Sequence, residues 1–361
     1  MRILHIVNDA QLGGAQTLLL RLARYRRPED EVHLIVLRSS DVLSAEYEHA
    51  FRSVTYLELE SLAGVPRAMR DIRRLSRNLS PDIVHSHLLQ SDLLSLLAIP
   101  MNLRRISTVH TTGMSDSDPR LSRVVAQLVG RLSGRFDCIV TCSDRCHEFM
   151  KSYEYRPRRT ESIANGVEMP ATWSQSGQSG VVLSVARFHP MKGHDLLFEA
   201  FHDLAPAFPD LRLRCVGEGL SADNKELMQL LERSGCIPLL DAGRIELVGP
   251  SRNVRDELAG ATVLVISSRY GEAAPMVGIE SISSGRGVIG PDLGNIPSLV
   301  AGKDMLFTPG SAPSLSGALK WFLQLPLGER HRLEREGRAV AEQSFSIEAC
   351  VEAYGRVYET V

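Results

Sequence analysis

The 361-residue chain carries almost no net charge: 41 Lys and Arg stand against 43 Asp and Glu, a formal balance of −2. That argues against a nucleic-acid binder driven by overall charge and leaves only local basic patches open. No apolar run reaches the roughly 20 residues of a membrane-spanning helix. The opening Met1-Arg2-Ile3-Leu4-His5-Ile6-Val7-Asn8 is too short for a signal-peptide core and reads as a strand. A cytoplasmic chain is expected. The six cysteines include no Cys-x-x-Cys pair. Cys138, Cys142 and Cys146 are four apart but are not expected to converge, so buried free thiols in a reducing compartment are the reading, with no metal site. The chain also lacks Gly-x-Gly-x-x-Gly with its downstream acid, which disfavours a dinucleotide oxidoreductase.

What is present is ordinary globular composition, 43% hydrophobic and 23% charged, long enough for two cores. Apolar runs at 3–7, 32–37, 54–57, 83–85, 106–109, 138–141, 181–186, 211–216, 245–248, 263–266 and 287–290 alternate with helical patterns such as 15–24 and 196–204. Alternation of this kind predicts α/β architecture with parallel sheets and helices on both faces. It breaks once, in the Gly/Ser-rich stretch 169–180, which reads as a linker. The expected organisation is residues 1–168, a linker 169–180, a second domain 181–345, and a terminal helical segment 346–361 with Val351, Tyr354, Val357 and Tyr358 on one stripe. Two doubly wound domains would face a cleft, a common place for small ligands.

Three loops carry chemistry. The first strand runs into Asn8-Asp9-Ala10-Gln11-Leu12-Gly13-Gly14-Ala15-Gln16 and then a helix. A glycine pair there lets a phosphate or hydroxyl-rich group approach the backbone, or is simply a tight turn. The run 181–186 leads into Arg187-Phe188-His189-Pro190-Met191-Lys192-Gly193. Arg187 and Lys192 could neutralise a diphosphate, or be two surface cations near a turn. Glu272 and Glu280 flank the start of a helix near Met276, after the strand 263–266. They suit the hydroxyls of a sugar beside an anion bound at the helix N-terminus, or are solvated glutamates.

Taken together the motifs resemble a GT-B-fold retaining glycosyltransferase of the family 4 type, over essentially the whole chain. The likeness rests on Gly13-Gly14-Ala15-Gln16, His85-Ser86-His87, Thr108-Val109-His110, Asn165-Gly166-Val167-Glu168, Arg187 with Lys192-Gly193, Val216-Gly217-Glu218-Gly219, and the Glu272–Glu280 pair, in that order. The resemblance implies two Rossmann-like domains, the second holding a UDP- or GDP-linked sugar as substrate, with no cofactor. Arg187 and Lys192 would contact the diphosphate, and Glu280 the ribose. Glu272 would hold donor-sugar hydroxyls, with Gly217 and the amides of Met276 and Val277 on the donor. Gly14 would approach the phosphate, and His110 would lie near the donor sugar and reaction centre. Gln16, His87 and Thr111 would face the acceptor, with His85 and His87 as cleft lining, and the terminal helix would return to the first domain.

Transfer would retain configuration without a required metal; no Asp-x-Asp stands at a strand end. The acceptor would be a saccharide, a lipid-linked sugar or a small molecule, and nucleic acid is not expected. The chain departs from the family at Thr111, Gln16 and Gly294-Asn295-Ile296-Pro297-Ser298, which bears on acceptor and donor-sugar identity. A non-hydrolysing sugar-nucleotide epimerase of the same fold, or a non-catalytic sugar-nucleotide-binding module, are the competing readings. Two helical patterns, with Arg67, Arg70, Arg74 and Arg77 and with Arg120, Arg123, Arg131 and Arg135, suggest basic faces for an anionic membrane surface. In the second pattern Val124, Val125, Leu128, Val129 and Leu132 are expected on the opposite face.

Overall fold

The computed structural model describes residues 1–361 except 40, 115–118, 174, 177–179 and 252. The chain divides into two units, Met1–Val167 with Ser346–Val361, and Glu168–Phe345.

The first unit is built on seven strands: β1 (Arg2–Val7), β2 (Glu31–Val36), β3 (Ser53–Tyr56), β4 (Ile83–His87), β5 (Arg104–Val109), β6 (Cys138–Thr141) and β7 (Thr160–Ser162). They pair in parallel in the order β3-β2-β1-β4-β5-β6-β7. Side chains alternate between faces along each strand. Leu4 and Ile6 of β1 join a core with Ala68, Ile72 and Leu94, whereas Ile3 and Val7 join one with Leu18, Leu19, Tyr354 and Val357. The second core is closed by the terminal helix, Ile347–Thr360. Its first turn is capped by Ser346, whose hydroxyl accepts from the Ala349 amide, and the Ile347 amide bonds the Val167 carbonyl. Gly166 fits there because a Cβ would lie 2.6 Å from Cys350 Cβ.

The second unit repeats the winding with β8 (Val181–Val185), β9 (Arg212–Val216), β10 (Ile245–Gly249), β11 (Val263–Val265), β12 (Gly287–Pro291) and β13 (Leu306–Phe307), all parallel, in the order β10-β9-β8-β11-β12-β13. Each sheet therefore reverses its strand order once, between β1 and β4 and between β8 and β11. Such switch points, at the carboxyl ends of the strands, are where open parallel sheets take ligands.

Several expectations change. The short edge strands β7 and β13 do not stand out as apolar runs. The run expected at 83–85 continues to His87, because β4 sits between β1 and β5 and its whole ladder is paired. The stretch expected as a linker is anchored on the second unit where it is described; residues 174 and 177–179 of it lie outside the described residues. Trp173 lies against Gly285, where a Cβ would come within 2.1 Å of the indole. The Ser176 amide donates to both Glu334 carboxylate oxygens at 3.2–3.3 Å, and Arg338 Nη2 donates to the Pro170 carbonyl.

On the helix Arg120–Leu132, Val125 and Val129 are buried, but Val124 and Leu128 share the outer face with Leu121 and the arginines, at 49%, 41% and 49% exposed respectively. At 100° per residue, positions 120, 124, 128 and 131 fall on one side.

Candidate active site

In the second unit the switch point is built by two loops strapped together. After β8, Ala186 and Arg187 lead into a tight turn, Pro190–Lys192, where the His189 ring accepts from the Met191 amide at 3.2 Å. Gly193 follows at φ +63°, and a Cβ there would lie 2.2 Å from the Ser267 carbonyl oxygen. Only glycine allows the Lys192 turn to lie this close to the end of β11. Ser267 Oγ donates to the Lys192 carbonyl at 2.8 Å, and the Arg269 amide donates to the Met191 carbonyl at 2.8 Å. Arg269 also pairs with Asp195.

This brings Lys192 onto Glu272. The two form an ion pair, and Ser268 Oγ donates to the same Glu272 oxygen at 2.6 Å. Glu272 is 7% exposed, so it is not a solvated loop glutamate. Burial alone would raise its carboxyl. The Lys192 ammonium, hydrogen bonds from Lys192 and Ser268, and the charge of Arg187 outweigh burial and hold it below the ordinary carboxylate value. Arg187 itself is exposed. A concavity at this point is lined by Ala186, Lys192, Ser268, Glu272, Pro275 and Val277.

The helix Met276–Ser283 begins beside it after Pro275. The Gly278 and Ile279 amides donate to the Pro275 carbonyl at 3.0 and 3.3 Å, which leaves the amides of Met276 and Val277 at the helix start to meet an anion. Glu280, half-buried, lies one turn in. Gly217, at φ +151°, passes so close to β8 that a Cβ would lie 2.1 Å from the Ala186 carbonyl oxygen. The second unit thus brings together Arg187, Lys192, Gly217, Glu272, Met276, Val277 and Glu280.

Ser268 was not among the expected site residues, and Gly294, named only within a departure from the family pattern, proves to touch the Glu272 loop. Gly294 stands at φ +53°, and a Cβ there would lie 1.8 Å from the Glu272 carbonyl oxygen, while the Asn295 amide donates to the Ala273 carbonyl at 2.8 Å. These residues shape the Glu272 loop from the far side. For Ser268 the signal was the place of Ser267-Ser268 directly behind an apolar strand; for Gly294 it was the motif position at 294–298.

The first unit's switch point is different. Gly14 opens the helix Gly14–Arg24, with Gly13 as its extended cap. Gln16 is turned inward, its amide donating to Asp9 Oδ1 at 2.7 Å, so it braces the glycine loop. Thr111 closes a local turn through Gly113.

His85 and His87 do not line a surface. Both are fully buried, because they alternate on the β4 face that the terminal helix covers. His85 Nδ1 meets Tyr358 OH and its Nε2 meets Thr108 Oγ1, both at 2.8 Å, and Thr108 Oγ1 meets Tyr354 OH at 3.2 Å. His5 Nδ1 lies 3.2 Å from His87 Nε2. The His87 ring stacks on His110, centroids 5.8 Å apart, while His87 Nδ1 and His110 Nε2 are buried without hydrogen-bond partners among the described residues. Burial lowers all four imidazoles, His5 to about 3, His110 to about 4, and His85 and His87 well below the ordinary value. Next to His87, Leu88 stands at φ +74°, a conformation that side chains rarely adopt. It is held where Asn8 Oδ1 accepts from the Ser91 amide and hydroxyl at 3.0 and 2.7 Å.

Cys142 and Cys146 do converge, against expectation, with sulfurs 3.9 Å apart. Both thiols face the Val109 carbonyl just before His110. All six cysteines are free and buried.

Two parallel sheets, each wound in the same order with its loops at a switch point, are the GT-B architecture. The family models Glycosyltransferase Family 4 and Glycosyl transferases group 1 match residues 12–169 and 170–340, and the chain belongs to this family of glycosyltransferases. An exopolysaccharide phosphotransferase of Streptomyces coelicolor is 26% identical over 81% of this chain, which spans 28% of that protein's length. A D-inositol 3-phosphate glycosyltransferase of Catenulispora acidiphila is 26% identical, over 77% of this chain and 70% of its own. The crystal structure of Anabaena HepE in complex with UDP-glucose shares the fold over the whole of both chains, with a TM-score of 0.83 at 18% identity.

Proposed function

We propose that this protein transfers a glycosyl group from a nucleotide-diphosphate sugar to an acceptor hydroxyl, with retention and without a required metal, in the assembly of a glycan, polysaccharide or glycolipid. The observation that carries the reading is the Lys192–Glu272 pair, its carboxylate buried and its ammonium half-buried, beside the start of the helix Met276–Ser283. A diphosphate competes with Glu272 for Lys192, and Arg187 supplies a second, bidentate cation. Glu272, released in part from the ammonium, turns its acceptor oxygens to the hydroxyls of the donor sugar. Glu280 is assigned to the ribose. A UDP-linked donor is favoured by the relative HepE, whose structure was determined with UDP-glucose.

The bond from the anomeric carbon to the leaving phosphate oxygen breaks as negative charge gathers on the diphosphate. Arg187, Lys192 and the amides of Met276 and Val277 stabilise that charge most when it is fully developed, which is what accelerates the step. The acceptor oxygen bonds the same face of the sugar, and its proton passes to the leaving phosphate oxygen. Within the first unit, His110, neutral and with Nε2 unpartnered among the described residues, is assigned to the acceptor, and Gly14, Gln16, His87 and Thr111 shape the ground on which the acceptor is received. Gln16 and His87 act from within, through Asp9 and His110.

The arginines of the helices Val65–Leu79 and Arg120–Leu132, with exposed Leu121, Val124 and Leu128, suit an anionic lipid surface. No helix among the described residues is long and apolar enough to cross a membrane. The run Asp116-Ser117-Asp118 lies outside the described residues, so metal independence rests on the resemblance and is tested with a chelator.

The direct test is release of nucleoside diphosphate from a panel of UDP- and GDP-sugars, with and without chelator. Glu272→Gln is expected to lower kcat/KM by about 10²–10³, as for loss of one strong polar group at a reacting centre. Unchanged turnover in Glu272→Gln would remove Glu272 from the site.

A further inference from the structure

The terminal helix does more than close a core. Its two tyrosines reach the polar centre of the first unit, and the contacts run in an unbroken series toward His110. Tyr358 OH holds His85 Nδ1, His85 Nε2 holds Thr108 Oγ1, and Tyr354 OH holds that hydroxyl from the other side. Thr108 stands opposite His87 in the sheet and two residues before His110. His87, in turn, is gripped by His5 and carries the His110 ring against its own. Among the described residues His110 Nε2 has no hydrogen-bond partner, so packing against its neighbours sets the direction of that nitrogen.

The three rings of His5, His85 and His87 present nitrogens within 4.8 Å of one another, a spacing that invites a transition metal. His85 is committed to hydroxyls on both sides, however, and a cation there would have to break one of those bonds. A hydrogen-bonded frame accounts for more of the contacts than a metal centre does.

We propose that Tyr358 and Tyr354 are positioning residues for His110, acting through His85 and Thr108 to fix the ends of β4 and β5. The positioning itself is a property of the fold; its consequence for turnover rests on the role given to His110 under the proposed function. Truncating Tyr358 to Phe leaves a buried imidazole nitrogen without its partner, and the ring must reorient or take in water. Either response disturbs the stack that ends at His110.

The test is nuclear magnetic resonance of protein labelled with ¹⁵N-histidine, the His110 ring signals being assigned by their loss in His110→Gln. In Tyr358→Phe the His110 ring signals are expected to move together with those of His85. Val357→Ala, which trims a buried side chain of the same helix and breaks no hydrogen bond, is expected to leave them in place. Should Tyr358→Phe fail to fold, Thr108→Val carries the same expectation. Fixed His110 signals in a folded Tyr358→Phe or Thr108→Val would overturn the proposal, as would equal movement in Val357→Ala. With UDP-glucose as probe and nucleotide release as readout, Tyr358→Phe is expected to lower kcat about tenfold and leave KM nearly unchanged, the mark of misplacement. If His110→Gln keeps full turnover, the functional reading of His110 fails, while the spectra still decide whether the tyrosines position it.

Discussion

The two units share one winding but stock their switch points with opposite chemistry. The first unit gathers four imidazoles, two phenols and a threonine hydroxyl, all neutral and nearly all sealed from water. The second places an ammonium, a carboxylate and an exposed guanidinium within reach of one another. A neutral cluster keeps its shape but gives little grip on a charged ligand. A charged pair can exchange partners when a diphosphate arrives. The same fold therefore separates holding a geometry from holding a charge.

Acid should break this comparison most strongly. An imidazole whose folded pKa lies below its unfolded 6.5 takes up a proton on unfolding. Its stability contribution is complete above that value and is lost as pH falls toward the folded value, about 3 for His5 and about 4 for His110. Each such group contributes at most about 1.4 kcal/mol per pH unit within its window. The first unit has four; among the described residues the second has His194, held to about 4 by burial. Glu272 responds in the same direction but in a lower window: its folded pKa is depressed, so its contribution persists until pH falls below 4.5 and is lost through its lower folded value. Hydrogen exchange followed from pH 7 to 5 is expected to show the first unit opening well before the second. Equal loss in both units would contradict the neutral-cluster account.

Glycine substitution sharpens the contrast at smaller cost. Gly294→Ala forces a side chain at φ +53° into the backbone of Glu272 and is expected to destabilise the second unit by about 3 kcal/mol. Gly113→Ala, in the loop after His110, meets nothing within 4 Å and is expected to change stability by less than about 0.5 kcal/mol. Thermal unfolding of the two variants separates a loop that is clamped from one that is open.

The smallest expected effect on stability, within about 0.5 kcal/mol, belongs to the double variant Leu121→Asp, Val124→Asp on the exposed helix face. It is nevertheless expected to abolish co-sedimentation with anionic liposomes at low salt. If wild type fails to sediment, the lipid-surface reading is lost.

Much of this was legible in the residues. The alternation of apolar runs announced most of the central strands, because a strand buried on both faces is usually a near-continuous apolar run, with β4 and its His85, Ser86 and His87 the exception. Arg187, Lys192, Glu272 and Glu280 could be placed because each follows such a strand or opens the next helix. What could not be read was orientation. His85 and His87 have the polar character of functional histidines, and only the terminal helix, with Tyr358 standing 273 positions beyond His85, shows them to be interior. Gln16 looks like an outward acceptor group until Asp9 claims its amide. Gly294 stands out in sequence only as part of a variant motif, and its contact with the Glu272 backbone shows only in the fold. Val124 and Leu128 look like core until helical phase puts them beside arginines.

The central claim is that the charged pair of the second unit is the donor's anchor. Calorimetric titration of the tightest-binding member of a UDP- and GDP-sugar panel into wild type, Lys192→Ala and Tyr358→Phe tests it most directly. Loss of one charge-assisted contact should weaken Lys192→Ala at least about tenfold, while Tyr358→Phe binds as wild type does. Equal affinity in Lys192→Ala and wild type would contradict the account.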